Sequence, residues 1–135
     1  SGGGFPGLVV AILAAEVDHP ANVTMIESDQ RKSAFLRTVL RETGCKATVL
    51  TERIELAKPQ SADVVSARAV ADLSTLLGFA ERHMNDGGIC LFPKGVTWQK
   101  EVVKAQQAWS FEYEVIRSKV EPNSVILKVG DIRRV

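Results

Sequence analysis

The sequence has few of the features that mark secreted, metal-binding or membrane proteins. It contains only two cysteines, Cys45 and Cys90, and neither lies near other residues that could bind a metal. We therefore expect two reduced, partly buried thiols in a cytosolic protein, and no metal site. No apolar run reaches the length of about 18 residues that a membrane-spanning helix requires, so we expect no membrane segment.

The chain also lacks an excess of charge of either sign. Its 17 Lys and Arg residues and 16 Asp and Glu residues give a net charge of +1, so any contact with nucleic acid must come from a local patch. The 135 residues are enough for one domain with a hydrophobic core. The two histidines, His19 in a turn and His83 near a helix end, are expected to be surface residues.

A glycine-rich stretch opens the chain, with Gly2, Gly4 and Gly7 at the spacing G-x-G-x-x-G. An apolar run over residues 8–16 follows and predicts a buried helix. A plain turn before a core helix would explain this pattern, but so would a ligand site, because free N–H groups at a helix N-terminus favour an anionic or polar group. Such a turn normally follows a buried strand. We therefore expect the central first strand to precede residue 1, and the chain to form a single domain that is incomplete at its N-terminus.

The rest of the chain alternates β-rich runs with helical patterns. The predicted strands cover, in order, residues 23–27, 46–50, 62–66, 89–93, 110–118 and 124–130. Repeated βα units predict a mostly parallel sheet with helices on both faces. The last two strands predict an antiparallel hairpin that inserts one antiparallel strand at the sheet edge. This ending is typical of the methyltransferase version of the doubly wound fold rather than of most dinucleotide-binding versions.

Three helices are predicted between these strands. The first covers residues 30–43 and is capped by one of the two polar residues before it. Its predicted buried stripe consists of Ala34, Phe35, Thr38 and Val39. The second begins at Asp72 and ends at a turn over residues 85–88, and the third begins at Thr97. The predicted buried face of the third helix consists of Trp98, Val102, Ala105 and Trp109.

Candidate binding residues follow the carboxyl ends of the predicted strands, where open α/β sheets bind ligands. Glu27 ends the first of these strands, and its carboxylate could accept hydrogen bonds from both hydroxyls of a ribose. Ile54 and Glu55 follow the second strand, where they could pack on a flat base and accept a hydrogen bond from its amino group. Together with the glycine-rich turn, these residues predict a site for a nucleoside cofactor.

Basic residues offer a second set of contacts. Arg68 and Lys94 stand at the next two strand ends. A single cation there is most often only solvated, but two beside a nucleoside site also fit a nucleic acid or a cofactor carboxylate. A further basic surface consists of Arg31, Lys32, Arg37, Arg41, Arg133 and Arg134. It is either a solvated face or a track for phosphates, and in the second case binding weakens as salt rises.

Five stretches of the chain resemble one known family. They cover residues 1–7, 26–37, 53–55, 65–69 and 91–95. Their Phe-Pro-Gly loop and Arg-Lys-x-Ala-Phe-Leu helix are the most specific parts, and they resemble the bacterial small-subunit ribosomal RNA guanine-N7 methyltransferases, also called glucose-inhibited division protein B, over essentially the whole chain. The resemblance implies a class I, Rossmann-like α/β methyltransferase fold, S-adenosylmethionine as methyl donor, and N7 of a guanine in 16S rRNA of the small ribosomal subunit as acceptor.

The resemblance also implies which residues form the site. Cofactor contacts carry over to Phe5, Ile54, Glu55 and Arg68, and Glu27 corresponds to the acid that binds the ribose. The glycine-rich turn itself is expected to supply main-chain contacts to the cofactor through Gly2 and Gly4. No catalytic base is expected, because guanine N7 has a free lone pair, and Arg68 and Lys94 are the candidates for orienting the substrate. The family's Asp-x-Gly ahead of the loop and its N-terminal helical segment do not occur in this sequence. We expect a cytoplasmic monomer.

Three alternatives remain open from the sequence. The spacing G-x-G-x-x-G with an acid about 20 residues further on also fits an NAD(P)-dependent Rossmann oxidoreductase, although the closing hairpin and the Ile54–Glu55 pair argue against it. A non-catalytic RNA-binding module of the same fold would bind the cofactor without methyl transfer. A methyltransferase for a small molecule or a protein is the third, and the basic strand ends argue mildly against it.

Overall fold

The predicted alternation of strands and helices is present in the computed structural model. The structure describes residues 6–14, 22–68, 71–117, 119 and 121–135. The chain divides into two compact units, Ser1–Ala57 and Lys58–Val135. Residues 1–5, which hold most of the glycine-rich turn, and residues 15–21, which hold His19 and the predicted end of the first helix, lie outside the described residues.

Two parallel strands and two helices make up the first unit. Its elements are, in chain order, α1 (Gly7–Ala14), β1 (Thr24–Ile26), α2 (Gln30–Thr43) and β2 (Thr48–Leu50). The two strands pair with Ile26 opposite Leu50, so both end at the same edge. Their core consists of Leu8, Ala11, Met25, Leu36 and Leu40. The strands predicted at 23–27 and 46–50 are therefore confirmed with shorter bounds, whereas α1 is only partly buried, with Leu13 57% exposed.

Local side-chain chemistry fixes both ends of α2. The carboxylate of Asp29 accepts hydrogen bonds from the backbone N–H groups of Arg31 (2.8 Å) and Lys32 (3.0 Å), and so satisfies two donors of the first turn. At the other end Gly44 has φ 69°, a left-handed conformation that glycine adopts without steric cost. The predicted bounds of this helix, 30–43, are confirmed.

The predicted buried stripe of α2 is wrong by about one residue. The buried residues are Ser33, Leu36 and Leu40, at the i, i+3, i+7 spacing of one helix face, and Phe35 is 49% exposed. The prediction favoured the side that carries the large Phe35. The buried face instead includes Ser33. Its hydroxyl can be buried because it donates a hydrogen bond to the carbonyl oxygen of Glu27 at 3.2 Å.

A mixed four-stranded sheet forms the second unit. Its elements are β3 (Ala62–Ser66), α3 (Leu73–His83), β4 (Met84–Lys94), α4 (Trp98–Ala105), β5 (Trp109–Arg117) and β6 (Val125–Arg134). The strand order is β3-β4-β6-β5, with β3 parallel to β4 and β6 antiparallel to both of its neighbours. The predicted antiparallel hairpin is confirmed: β6 enters the sheet beside β4, and β5 forms the edge.

The turn predicted over residues 85–88 is instead part of β4. Pairing with β3 shifts register here, because Ala62 lies opposite Met84 whereas Val64 lies opposite Ile89. The glycines make this irregularity possible. Gly87 has φ 79°, and a Cβ on Gly88 would lie 3.0 Å from the carbonyl oxygen of Ala62. The strand therefore begins five residues earlier than the apolar run indicates.

Two further predictions in this unit need correction. His83 is buried, only 3% exposed, because it continues the face of α3 that already carries Leu76 and Ala80. Helix α4 ends at Ala105 rather than reaching Trp109, and Trp109 begins β5. Trp109 is nevertheless only 4% exposed and belongs to the core, so its predicted burial is confirmed.

The two thiols are free, Cys45 half-buried and Cys90 buried, and burial raises the pKa of Cys90 to about 12. Among the described residues no helix is long and apolar enough to cross a bilayer.

Candidate functional site

Glu27 lies immediately after β1, at the edge where both strands of the first unit end. Its backbone N–H donates a hydrogen bond to the carbonyl oxygen of Leu50 at 2.9 Å, which extends the parallel pairing by one step. The residue is only 8% exposed. The structure therefore places Glu27 at the strand end, as the sequence predicts, and shows in addition that it is buried.

The carboxylate of Glu27 is held by the start of α2. Its Oε2 atom accepts a hydrogen bond from the backbone N–H of Asp29 at 2.9 Å, and its backbone carbonyl accepts one from Ser33. Buried carboxylates are stable only where hydrogen bonds replace water, and the bond from Asp29 also restricts the orientation of the Glu27 side chain. A carboxylate held this way can accept hydrogen bonds from two neighbouring hydroxyls with little loss of side-chain entropy.

Ile54 and Glu55 lie in a tight turn after β2. The backbone N–H groups of Leu56 (3.0 Å) and Ala57 (2.9 Å) both donate to the carbonyl oxygen of Arg53, and the fully buried Ala57 anchors the turn. Ile54 is half-buried and Glu55 is exposed. The pKa of Glu55 is lowered by a hydrogen bond from its own backbone N–H and by the Arg53 guanidinium at 3.0 Å. Glu55 is thus an ionised acceptor beside an apolar side chain.

Arg37 connects α2 to the segment that leads into this turn. Its Nη2 atom donates hydrogen bonds to the carbonyl oxygen of Val49 at 3.1 Å and to the hydroxyl of Thr51 at 3.0 Å. The sequence interpretation placed Arg37 only on the basic surface and missed this contact, because no local pattern links α2 to a residue 14 positions further along the chain. Arg31, Lys32 and Arg41 of the same surface are exposed.

The remaining predicted residues of the glycine-rich turn are only partly described. Gly2, Gly4 and Phe5 lie outside the described residues. Gly7 is the first residue of α1, and the N–H of Val10 donates to the carbonyl oxygen of Pro6 at 2.9 Å. The glycine-rich stretch therefore leads into a helix N-terminus, as predicted.

In the second unit, Arg68 and Lys94 lie at the carboxyl ends of the parallel strands β3 and β4. Arg68 is exposed and stands two residues beyond β3. The Lys94 side chain is only 8% exposed, and its Nζ atom lies 2.8 Å from Oε1 of Glu101. The sequence interpretation missed Glu101, although an acid in the first turn of a helix was a usable signal. In each unit the predicted residues thus lie at or after the carboxyl ends of parallel strands: Glu27, Ile54 and Glu55 in the first unit, Arg68 and Lys94 in the second.

Comparison with protein families gives one match that covers most of the chain. The model of the family GidB, described as rRNA small subunit methyltransferase G, matches residues 1–125. Curated relatives named ribosomal RNA small subunit methyltransferase G include that of Ruegeria pomeroyi, 53% identical over all 135 residues, and that of Gluconobacter oxydans, 44% identical over the same length. The chain spans 66% of the Ruegeria protein and 67% of the Gluconobacter protein.

Solved structures similar to this fold have low sequence identity to the chain. The ribosomal protein L11 methylase of Lactobacillus delbrueckii subsp. bulgaricus has a TM-score of 0.70 at 13% identity, with 90% of this chain and 63% of that chain covered. The M. jannaschii protein TYW2, solved in complex with AdoMet, has a TM-score of 0.63 at 15% identity, with 92% and 63% covered. These likenesses establish the fold as the Rossmann-like, class I methyltransferase type.

Proposed function

This chain belongs to the GidB family, rRNA small subunit methyltransferase G, and we propose that it transfers the methyl group of S-adenosylmethionine to N7 of a guanine in 16S rRNA. The observation that carries the proposal is the 53% identity to a curated member over the full length of this chain. Family membership argues against the NAD(P)-dependent oxidoreductase and against a small-molecule or protein substrate. It leaves a non-catalytic RNA-binding module as the second candidate.

The first unit offers side chains that fit the nucleoside part of the cofactor. Glu27 is a buried carboxylate in a fixed orientation at the strand end, the group that a ribose diol requires. Ile54 supplies an apolar surface for the adenine, and Glu55 an ionised acceptor for its amino group. We assign the methionine end of the cofactor to the glycine-rich turn, with Gly2 and Gly4. The family resemblance adds Phe5 of the same turn and a further contact from Arg68.

The residues of the chain contribute positioning rather than proton transfer. S-adenosylmethionine supplies a methyl group on a positively charged sulfur, and the guanine N7 atom already has a free lone pair. Bond formation at N7 therefore accompanies cleavage of the sulfur–methyl bond, and the positive charge passes to the base without removal of a proton. Alignment of two reactants supplies a large part of the barrier reduction in such steps. The target base must leave its stack to be aligned.

RNA contacts are assigned to exposed cations. Arg68 lies at a strand end of the second unit, and Arg31, Lys32 and Arg41 lie exposed on α2. Arg133 and Arg134 are less suitable, because the first pairs with Asp131 and the second with Glu81, each within 3.1 Å. The proposed substrate is part of the small ribosomal subunit, and for that reason we infer a cytoplasmic protein.

Two measurements test the proposal. Calorimetry should give binding of S-adenosylhomocysteine and none of NAD; the reverse would reject a methyltransferase. Small ribosomal subunits and methyl-labelled S-adenosylmethionine should then give labelled 16S rRNA.

The variant Arg68→Ala should fold normally and lower methyl transfer at least tenfold, whereas wild-type activity in that variant would remove Arg68 from the site. Cofactor binding without label in any RNA would favour the non-catalytic module.

A further inference from the structure

The ammonium group of Lys94 is bound by other residues of the second unit. It is the last residue of β4, and its side chain is 8% exposed. The Nζ atom donates hydrogen bonds to Oε1 of Glu101 at 2.8 Å and to the carbonyl oxygen of Ala71 at 3.0 Å. Two of its three donors are therefore satisfied by protein atoms.

Glu101 connects the same lysine to the start of α3. It lies in the first turn of α4, its side chain is 21% exposed, and Oε1 also accepts a hydrogen bond from the backbone N–H of Leu73 at 3.0 Å. Leu73 is the first residue of α3 and is fully buried. One carboxylate oxygen thus joins the end of β4 to the N-terminal turns of α3 and α4.

This arrangement opposes a direct contact between Lys94 and RNA. A buried ammonium that loses its partner carries a large desolvation cost, and the carboxylate left behind carries another. Lys104, on α4 with Glu101, is a contrasting case. Its side chain is 72% exposed and lies 3.7 Å from Asp72, so its ammonium group remains solvated. A phosphate that bound Lys94 would therefore compete with Glu101 for the charge of the ammonium group.

We propose that Lys94 and Glu101 form a positioning pair that fixes the backbone at Ala71 and Leu73, and through it the segment after β3 that carries Arg68. The pair acts on the substrate through Arg68 and does not contact RNA itself. This inference rests on the proposed function, in which Arg68 orients the substrate. It replaces the expectation that Lys94 touches the RNA directly.

A first experiment tests the pair without reference to activity. Hydrogen exchange is measured for the Leu73 amide and for the peptide covering residues 66–73 in wild type, Lys94→Met and the matched control Lys100→Met, which changes an exposed lysine of α4. Lys94 makes no hydrogen bond to the Leu73 amide itself, so faster exchange there reports on the backbone that Lys94 holds through Glu101 and Ala71. We expect exchange at least tenfold faster in Lys94→Met and unchanged in Lys100→Met. Wild-type exchange in Lys94→Met would overturn the proposal.

A second experiment separates positioning from phosphate contact. Binding of small ribosomal subunits is measured over a series of KCl concentrations, and kcat of methyl transfer is measured well below the unfolding temperature. We expect Lys94→Met and Glu101→Gln each to lower kcat about tenfold, the double variant to be no worse than the worse single one, and the salt slope to stay at the wild-type value. A slope lowered by about 0.7–0.9 in Lys94→Met alone, with normal Glu101→Gln, would identify a phosphate contact and reject the pair.

The remaining outcomes are also decisive. If both variants exchange faster but keep kcat within twofold of wild type, the pair is only structural and the proposal is wrong. If Lys94→Met does not fold, Glu101→Gln carries the same measurements, because its amide oxygen still offers an acceptor to Lys94 and Leu73. If the wild-type protein transfers no methyl group, the proposed function fails, and exchange over residues 66–73 alone decides for or against the pair.

Discussion

The substitution Glu27→Gln tests the proposed ribose contact with little disturbance of the fold. The variant keeps one side-chain oxygen, which can still accept the hydrogen bond from the Asp29 N–H that Glu27 accepts at 2.9 Å. It replaces the second oxygen with an NH₂ group and removes the negative charge. We therefore expect the free energy of unfolding to change by less than about 1 kcal/mol.

Cofactor affinity should change far more than stability. Two hydroxyls that donate to a carboxylate contribute about 1.5 kcal/mol each, the lower end for hydrogen bonds to charged groups. Loss of about 3 kcal/mol corresponds to a roughly 100-fold rise in Kd, since about 1.4 kcal/mol is a factor of ten. Partial retention of one contact by the amide would reduce the effect to about tenfold, so the expected range is about 10- to 100-fold.

The assay is calorimetric titration with S-adenosylhomocysteine, alongside urea unfolding of the same samples. Glu42→Gln is the matched control, because Glu42 is an exposed acid on α2 in the same unit and the change in charge is identical. Binding by Glu27→Gln within twofold of wild type, with the control also unchanged, would show that Glu27 does not contact the cofactor. A shared loss in both variants would trace the effect to net charge instead.

Three further substitutions test the account of the fold, each by urea unfolding. Gly88→Ala should lower the free energy of unfolding by about 1–3 kcal/mol through overpacking. In the control Gly95→Ala the new Cβ meets nothing within 4 Å, and the free energy of unfolding should change by less than about 0.5 kcal/mol. Equal effects of the two variants would contradict the close packing of Gly88 against β3. Arg37→Met should lower the free energy of unfolding by about 1–2 kcal/mol, because two hydrogen bonds are lost, and Arg41→Met should leave it almost unchanged. Equal stabilities of the two variants would show that the contact of Arg37 with β2 does not stabilise the fold. Asp72→Ala should cost about 1 kcal/mol at pH 7, because the carboxylate caps α3. Hydrogen bonds from Thr75 lower the pKa of Asp72 from its ordinary 3.8, so this stabilisation is present above that value and decreases as the pH falls below it. A difference that does not decrease as the pH is lowered through this range would refute the assignment.

Local chemistry made some elements predictable from the sequence. The bounds of α2 follow from an acid before the helix and a glycine after it, and both act within a few residues of the helix ends. Asp72 and the apolar spacing of Leu73, Leu76 and Ala80 fix α3 in the same way. Glu27 was predictable because a strand end can be recognised from the apolar run before it.

Other features depend on contacts between distant parts of the chain. The stripe of α2 is displaced because Ser33 finds a hydrogen-bond acceptor in the carbonyl of Glu27, which no helical periodicity indicates. The extra length of β4 depends on Ala62 of the neighbouring strand, against which Gly88 packs. The role of Lys94 depends on Glu101, seven residues away and on another element. Strand ends indicate where a site lies, but the sequence does not show which of their charges are already paired.

The most direct test of the central claim is the position of the transferred methyl group. Wild-type protein is incubated with small ribosomal subunits and methyl-labelled S-adenosylmethionine, and nuclease digests of the 16S rRNA are examined by mass spectrometry. The account predicts label on a single guanine, at N7. Label on another base or another atom of guanine, or none despite binding of S-adenosylhomocysteine, would contradict it.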